Sequence, residues 1–452
     1  MNIKLSEIAR VLGTKIQSDK IVKKISIDSR DVDENTIFFA IKGDRFDGHD
    51  FVCDVAKKGV CAVVCHKKVE CDVPVIYVDD TKSAFLNLAK YYRQKNKNLL
   101  VVGLTGSVGK TTTKEMTAYV MSQKFKTLKT EGNLNNEIGV PKTLFRLSED
   151  TECAIVEMGM DAKGQIEKLT SCAMPDCAII TNIGVSHIEN LGSRENILKA
   201  KLEILKGMKK GSYIFLNGDN DLLNTVENKD FKIIKFGIEN KDCDVVATYI
   251  EENDYTTSFY VSVDDTSQRI IIPTVGIHNV YDALAAFAVG YYNGMKTSDI
   301  ADGLLNYKPS GMRQNITKHH GITVIEDCYN ASPDSQRAGL NTLCKIAEGK
   351  KVAILGDMLE LGDYSKEAHR KVGEYAAECG VDFLYTFGEQ AKFIADGAYR
   401  KGLEHIYIYV DKEHLIADLK NHVQVGDTLL FKASRGMKLE EVFEELYKYW
   451  EV

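Results

Sequence analysis

Val101-Val102-Gly103-Leu104-Thr105-Gly106-Ser107-Val108-Gly109-Lys110-Thr111-Thr112 is the stretch that decides the fold. The apolar run Leu99–Val102 predicts a buried strand, and a glycine-rich turn follows it. Lys110-Thr111-Thr112 then opens a helical pattern through Glu115, Met116 and Tyr119. Strand, loop and helix in that order make a phosphate cradle. Backbone N–H groups and the helix N-terminus face the anion, Lys110 adds a point charge, and Thr111 suits Mg²⁺. Leu104 stands where the strict motif has glycine, so the loop is a variant. A strand-loop-helix of this kind belongs to an α/β sheet with ligands at its strand ends.

The rest of the chain continues that alternation. Strands are expected at Ile25–Ile27 and Thr36–Ile41, then a helix at Ala84–Tyr92 and a polar linker at Arg93–Asn98. After the loop, strands recur at Ala154–Met158, Cys177–Ile183 and Tyr213–Asn217, and a β-rich insert runs from Lys232 to Pro273. Lys308-Pro309-Ser310-Gly311 punctuates the chain. Strands at Ile322–Cys328, Lys351–Leu355, Phe383–Phe387, Ile406–Val410 and Thr428–Phe431 then predict a Rossmann-like unit that ends in a helix, Leu439–Tyr449. It lacks a Gly-x-Gly-x-x-Gly turn, which argues against a dinucleotide.

Composition sets the class. With 452 residues, roughly two to four domains are expected. A net charge of −7 argues against nucleic-acid or membrane-surface binding. The apolar runs are too short for a membrane span, and Met1–Ile8 has no signal core, so a cytoplasmic protein is expected. The 11 cysteines are odd in number and irregularly spaced, which favours reduced thiols. Cys61, Cys65 and Cys71 lie in or beside apolar runs, as buried free cysteines do.

Candidate residues cluster after the strand ends. Glu157 closes the run Ala154–Val156, and His187 and Glu189 follow Ile183, on the edge that carries the phosphate loop. In Gly132–Gly139, Asn133, Asn135 and Asn136 serve either turn chemistry or a polar substrate. Asn279 precedes the small-residue helix Ala283–Ala288, as a cap or as a reader of a base edge. Arg313 follows the second linker, and reaches phosphates only if two domains close. Lys201, in Ala200–Ile204, reads as a surface lysine.

In order and spacing, Thr105–Thr112, Glu157, Ser186–Glu189, Lys201, His278-Asn279, Arg313 and Asp327 resemble the Mur ligase superfamily. Glu326-Asp327-Cys328-Tyr329-Asn330-Ala331-Ser332-Pro333 and Leu355–Gly362 are similar to the members that add D-alanyl-D-alanine to UDP-N-acetylmuramoyl-tripeptide, as is the Asn133–Gly139 stretch. Folylpolyglutamate synthetase is the alternative within the superfamily. Departures are Cys328 for the more usual Ser, Asp282 for the more usual Asn, and Gln314 at a variable position.

The resemblance implies an α/β protein of three domains. These are a small α/β N-terminal domain for the UDP-sugar (1–97), a central P-loop parallel-sheet ATPase domain (98–312) and a C-terminal Rossmann-like domain for the dipeptide (313–452). It also implies an ATP-dependent ligase that works through an acyl phosphate in peptidoglycan synthesis, acting as a monomer. Thr105, Gly106, Ser107, Gly109, Lys110, Thr111, Thr112 and Arg313 would hold ATP, with Asn279 at adenine and Asp327 at ribose. Thr111, Glu157, His187 and Lys201 would hold Mg²⁺ at two sites, Lys201 as a carbamate. Lys110, His187, Lys201 and Arg313 would be catalytic. Ser29, Arg30, Asp47 and His49 would face the UDP-sugar. Asn330, Lys432, Ser434 and Arg435 would face the dipeptide, and Asn133, Asn135 and Asn136 the substrate more generally.

Overall fold

The apolar runs of the sequence are sheet strands, and they assemble into three principal sheets in chain order. The structure is a computed structural model describing residues 1–253, 255–309 and 311–451. Ser310, in the second punctuation, lies outside the described residues. Among the described residues, no helix is long and apolar enough to cross a membrane.

The first sheet has four parallel strands in the order Lys24–Ser26, Thr36–Phe39, Ala62–Cys65, Val75–Tyr77. Thr36-Ile37-Phe38-Phe39 is buried throughout, because both faces of a parallel sheet are covered. Phe38 packs with Val52 and Val55 on one face, and Phe39 meets Phe85 of the helix Thr81–Lys95 on the other. Asp80 caps that helix by accepting from the Ser83 N–H at 2.7 Å. The expected linker at Arg93–Asn98 is shorter than read, with only Asn96–Asn98 of it connecting the helix to the next strand. Its first three residues complete the helix, and Arg93 is buried. Its guanidinium donates to the carbonyls of Ala173 and Leu99 and to Asp176 Oδ2, at 3.2, 3.4 and 3.1 Å. A long-range ion pair thus anchors the first unit to the second.

The central sheet has nine strands, ordered Thr266–Ile272, Thr256–Val263, Val245–Asn253, Lys232–Gly237, Tyr213–Asn217, Cys177–Ile180, Leu100–Thr105, Cys153–Glu157, Thr127–Lys129. Pairing is parallel from Thr127–Lys129 as far as Val245–Asn253, and the last two pairings are antiparallel. The parallel sheet expected for the alternating strands is present, and the β-rich insert adds the antiparallel edge. Leu100–Thr105 has Cys153–Glu157 on one side and the later strand Cys177–Ile180 on the other. The chain reverses its winding there, and ligands of open α/β sheets bind at such a point.

The helices Lys110–Met121 and Ile277–Tyr292 cover one face, where Leu104, Met116 and Val120 pack with Leu284 and Phe287. A Cβ on Gly290 would come within 2.9 Å of Val120 Cγ1, so the two helices touch backbone-close. The third sheet has six strands, ordered Asn315–His319, Ile322–Glu326, Thr428–Lys432, Lys351–Gly356, Phe383–Phe387, Ile406–Tyr409. Only the first pair is antiparallel. That edge strand was not expected, because Asn315-Ile316-Thr317-Lys318-His319 is polar and largely half-buried.

Candidate active site

The phosphate loop is shaped from below by the next strand's end. Gly106 lies so close to Thr181 that a Cβ would sit 1.8 Å from Thr181 Oγ1. That hydroxyl donates to the Val108 carbonyl at 2.5 Å. Asn182 Oδ1 accepts from the N–H groups of Ser107 and Val108 at 3.1 and 2.8 Å, and Ser107 Oγ accepts from the Gly184 N–H at 3.0 Å. Gly109 caps the helix at φ +82°, a conformation that disfavours a side chain. The first turn of Lys110–Met121 then points its unpaired N–H groups into the cleft. Thr105 is fully buried and supports the loop from beneath. Ser107, Gly109, Lys110, Thr111 and Thr112 line the cleft. Lys110 Nζ donates to the carbonyls of Gly106 and Ser107, at 2.8 and 3.1 Å. Burial pushes its ammonium below the usual range, against the pull of Glu157, and the Arg313 charge adds to the fall.

Glu157, at the end of its strand, is buried. Its Oε2 accepts from Thr111 Oγ1 at 3.1 Å and its Oε1 from Asn135 Nδ2 at 2.9 Å. Lys114 Nζ lies 3.8 Å from Oε2 and 3.2 Å from Glu115. Asn135 is thus the one amide of its cluster that reaches the site. Asn136 Oδ1 accepts from the N–H groups of Ile138 and Gly139, which is turn chemistry, and Asn133 is exposed. His187 stands at φ +62° with Nδ1 2.6 Å from Glu360 Oε2 across the domain seam, too far out of line for a hydrogen bond. That proximity holds the Glu360 carboxyl below its usual range.

The surface reading of Lys201 is wrong. Lys201 is 2% exposed, at the end of the helix Arg194–Lys201. Burial first, and the Lys110 charge second, push its amine well below the usual lysine range. Asn279 is not a cap either. Gly276 holds that position, and Asn279 lies in the first turn, where Nδ2 donates to the Val275 carbonyl at 2.7 Å and to Gln314 Oε1 at 3.0 Å. His278 Nε2 is 2.8 Å from the same Gln314 oxygen.

The C-terminal unit supplies the opposite wall through Arg313, Gln314, Asp327, Ser332, Asp334 and Lys432. The Arg313 guanidinium lies over the Tyr329 ring at 4.0 Å. Asp327 is buried and pairs with Lys432 Nζ at 2.7 Å. Lys432, expected beside the dipeptide, is buried and lines the same cleft. The exposed Asn330 accepts from the Ala331 N–H through Oδ1, Ser434 Oγ accepts from the Leu359 N–H at 3.0 Å, and the exposed Arg435 pairs with Glu440.

The four N-terminal candidates do not line this cleft. Arg30 is exposed and pairs with Asp28, and the half-buried Ser29 gives its carbonyl to Lys58 Nζ. His49 is occupied on both ring nitrogens, with Nδ1 2.6 Å from Asp47 Oδ1 and Nε2 3.2 Å from the His66 N–H. These contacts fix Nδ1 as the donor. Lys67 also pairs with Asp47. His49 and Asp47 therefore set the turn's shape. Sequence reasoning missed Thr181 and Asn182, for which the pair's place directly after an apolar strand was the available signal, and noted Asp282 only as a departure from the family pattern.

Comparison with known proteins agrees with this geometry. Residues 21–96 match the Mur ligase family catalytic domain, 104–290 the Mur ligase middle domain, and 312–435 the Mur ligase glutamate ligase domain. The UDP-N-acetylmuramoyl-tripeptide--D-alanyl-D-alanine ligase of Bacillus subtilis is 40% identical, over 94% of this chain and 93% of its own. That of Escherichia coli is 35% identical over 99% and 98%. Among solved structures, MurF from Acinetobacter baumannii superposes with a TM-score of 0.93 at 30% identity over 99% of both chains. MurF from Thermotoga maritima in complex with ADP gives 0.86 at 30% identity, over 95% of this chain and 98% of that one. With the phosphate loop, the two-walled cleft and these relatives in agreement, the chain belongs to the MurF family of Mur ligases.

Proposed function

We propose that this chain is an ATP-dependent ligase that joins D-alanyl-D-alanine to the terminal carboxylate of UDP-N-acetylmuramoyl-tripeptide, giving the pentapeptide precursor of peptidoglycan. The observation that carries this reading is the shared cleft. The phosphate loop forms one wall and Arg313, Asp327 and Ser332–Ser335 of the next unit form the other. A carboxylate is a poor electrophile and needs activation. Transfer of the γ-phosphoryl group of ATP to a carboxylate oxygen gives an acyl phosphate and ADP. The dipeptide amine then attacks the carbonyl carbon, a proton leaves the nitrogen, and the tetrahedral intermediate expels inorganic phosphate.

In this reading the helix N-terminus at Lys110 holds the phosphates, and Lys110 and Arg313 spread the charge that develops on them. Asn279 offers its Oδ1 to the adenine amino group, and Asp327 takes a ribose hydroxyl. The seam between the two walls keeps water from the acyl phosphate. Thr111 and Glu157 supply hard oxygen donors in contact with one another, a donor set that fits Mg²⁺. Thr111, Glu157, His187 and a carbamylated Lys201 would hold Mg²⁺, which when bound neutralises phosphate oxygens. Lys201 suits carbamylation because burial favours its neutral amine, the form that adds to CO₂ with release of a proton.

The test is phosphate release from ATP with each co-substrate present or omitted. Release that requires both the UDP-linked tripeptide and the dipeptide is expected. Rapid release in buffer, unchanged by either, would overturn the ligase reading.

A further inference from the structure

One carboxylate in the cleft has the wrong sign for an anion cradle. Asp282, on the helix Ile277–Tyr292, is 6% exposed and lines the nucleotide cleft. Its Oδ1 accepts from Thr113 Oγ1 at 2.6 Å. A Cβ on Gly109 would lie 2.6 Å from that same oxygen. The carboxylate is therefore packed against the turn that opens the phosphate-binding helix.

Its electrostatic surroundings come from every side. The phosphate-loop helix brings Lys110, and one turn on Glu115, which is paired with Lys114 and Lys129. The segment after the helix Thr297–Leu305 brings the buried Tyr307, whose hydroxyl is pushed up by burial first and by the Asp282 charge second. Arg313 enters from the C-terminal side and favours the ionised form. On its own helix, His278 is bound to Gln314 and Tyr281 donates to Asp219. Across the cleft, Asp327 is already neutralised by Lys432. Arg313 is thus the cation that acts on Asp282. Burial still outweighs Arg313 and the Thr113 hydrogen bond, and the carboxyl is pushed up to about 7.

Nucleotide phosphates change that balance. They bring several negative charges to the Gly109–Thr111 turn and draw Arg313 to themselves. Two anions packed against one turn in a dry site repel strongly, and a carboxyl in that position gains a proton. We propose that Asp282 is a positioning residue that binds a proton from solvent as the nucleotide enters, so that a neutral carboxyl keeps its contacts with Thr113 and the Gly109 turn beside the phosphates. This rests on the assignment of the cleft to a nucleotide. Thr113 and Gly109 stay in register whether or not the cleft is filled, because the carboxyl can change charge without moving. Nucleotide affinity is then linked to pH through one group.

The experiment is calorimetric titration of the full chain with ADP at saturating Mg²⁺, where the ligand itself does not titrate. It is run at pH 6.5, 7.5 and 8.5, in pairs of buffers with different ionisation enthalpies. The wild type is expected to take up about three quarters of a proton per site at pH 7.5 and close to one at pH 8.5, and its affinity is expected to fall up to tenfold per pH unit above about 7. Asp282→Asn is expected to take up none of that proton and to bind ADP with little pH dependence. Wild-type binding without proton uptake would overturn the proposal whatever the variant does. Equal uptake in wild type and Asp282→Asn would assign the proton elsewhere and overturn it too. Absence of ADP binding at every pH would instead remove the nucleotide assignment on which it rests.

Discussion

Gly106→Ala tests how the phosphate loop is built. The added methyl would sit 1.8 Å from Thr181 Oγ1 and 3.2 Å from the Thr181 backbone N. The backbone does not yield easily, so the hydroxyl must turn away and give up its bond to the Val108 carbonyl. Overpacking of this kind costs about 1–3 kcal/mol. The lost hydrogen bond adds about 1 kcal/mol. The sum, about 2–4 kcal/mol, falls on the loop conformation that binds phosphate. Affinity for ADP should therefore drop by a factor of about 30 to 1,000. Thr181→Ala alone removes only the hydrogen bond, and should weaken ADP about fivefold. In the double variant the Oγ1 clash is gone and the hydrogen bond is lost only once. Its loss should fall short of the sum of the two singles by about 2–4 kcal/mol, the clash plus one hydrogen bond. The assay is calorimetric titration of ADP into all four proteins, with melting temperatures recorded alongside. Wild-type affinity in Gly106→Ala, or strict additivity in the cycle, would refute the steric argument.

Three further outcomes follow from the site. Lys110→Met should lower ligation by about a hundredfold or more, because a charge aimed at the phosphates is gone, while the melting temperature stays close to wild type, since Nζ bonds only its own loop's carbonyls; circular dichroism with steady-state kinetics checks both. Lys201→Ala should lose ligation, with partial recovery in formate or acetate, and in CO₂-free buffer it should also lose a pH dependence of stability. The folded-state amine sits well below the usual range, so below pH 10.5 the unfolded chain binds the proton more readily and the wild type gains stability as pH rises; thermal melts from pH 6 to 9 should show that slope vanish in the variant. Asp47→Asn should raise KM for the UDP-linked substrate with little change in kcat. Asp47 is held below the usual carboxylate range first by Lys67 and then by His49, so its stabilisation is present above pH 3.8 and is lost as pH falls below that; acid melts of wild type and variant should converge there.

What was legible in the sequence is what is local. The strand Leu100–Thr105, the turn at Gly106–Gly109 and the helix from Lys110 follow from a dozen adjacent residues, and the structure places them as read. Glu157 was also legible, because the end of an apolar strand in an open sheet has a fixed place. Residues whose role depends on distant partners were not. Arg93 looked like linker because its carbonyl and carboxylate partners lie some 80 residues away. Lys201 looked like surface because its charge outweighed its position in the reading. Yet Ile197, Ala200 and Lys201 stand at the i, i+3, i+4 spacing of a buried helix face, and all three are buried. Asn279 could be read locally as a cap for the same reason, since its partner Gln314 lies 35 residues on.

The seam between the central and C-terminal units explains why motifs far apart in sequence carry one function. Ser186–Glu189 and Gly356–Gly362 meet there. His187 faces Glu360, and a Cβ on Gly362 would lie 3.0 Å from Glu189 Cγ. Gln314 joins His278 and Asn279 across the same boundary, and Asp334 lies so close to Gly184 that a Cβ there would be 2.7 Å from its Oδ2. These contacts are polar, between groups that water or a ligand serves about as well. Hydrogen bonds of this kind have small net worth because each replaces another of similar strength. Each such contact adds little resistance to separation, whereas an apolar contact, such as Val185 against the C-terminal core, resists in proportion to its area. Glu360, at φ +63°, stands in a turn that reaches His187 from the opposite domain.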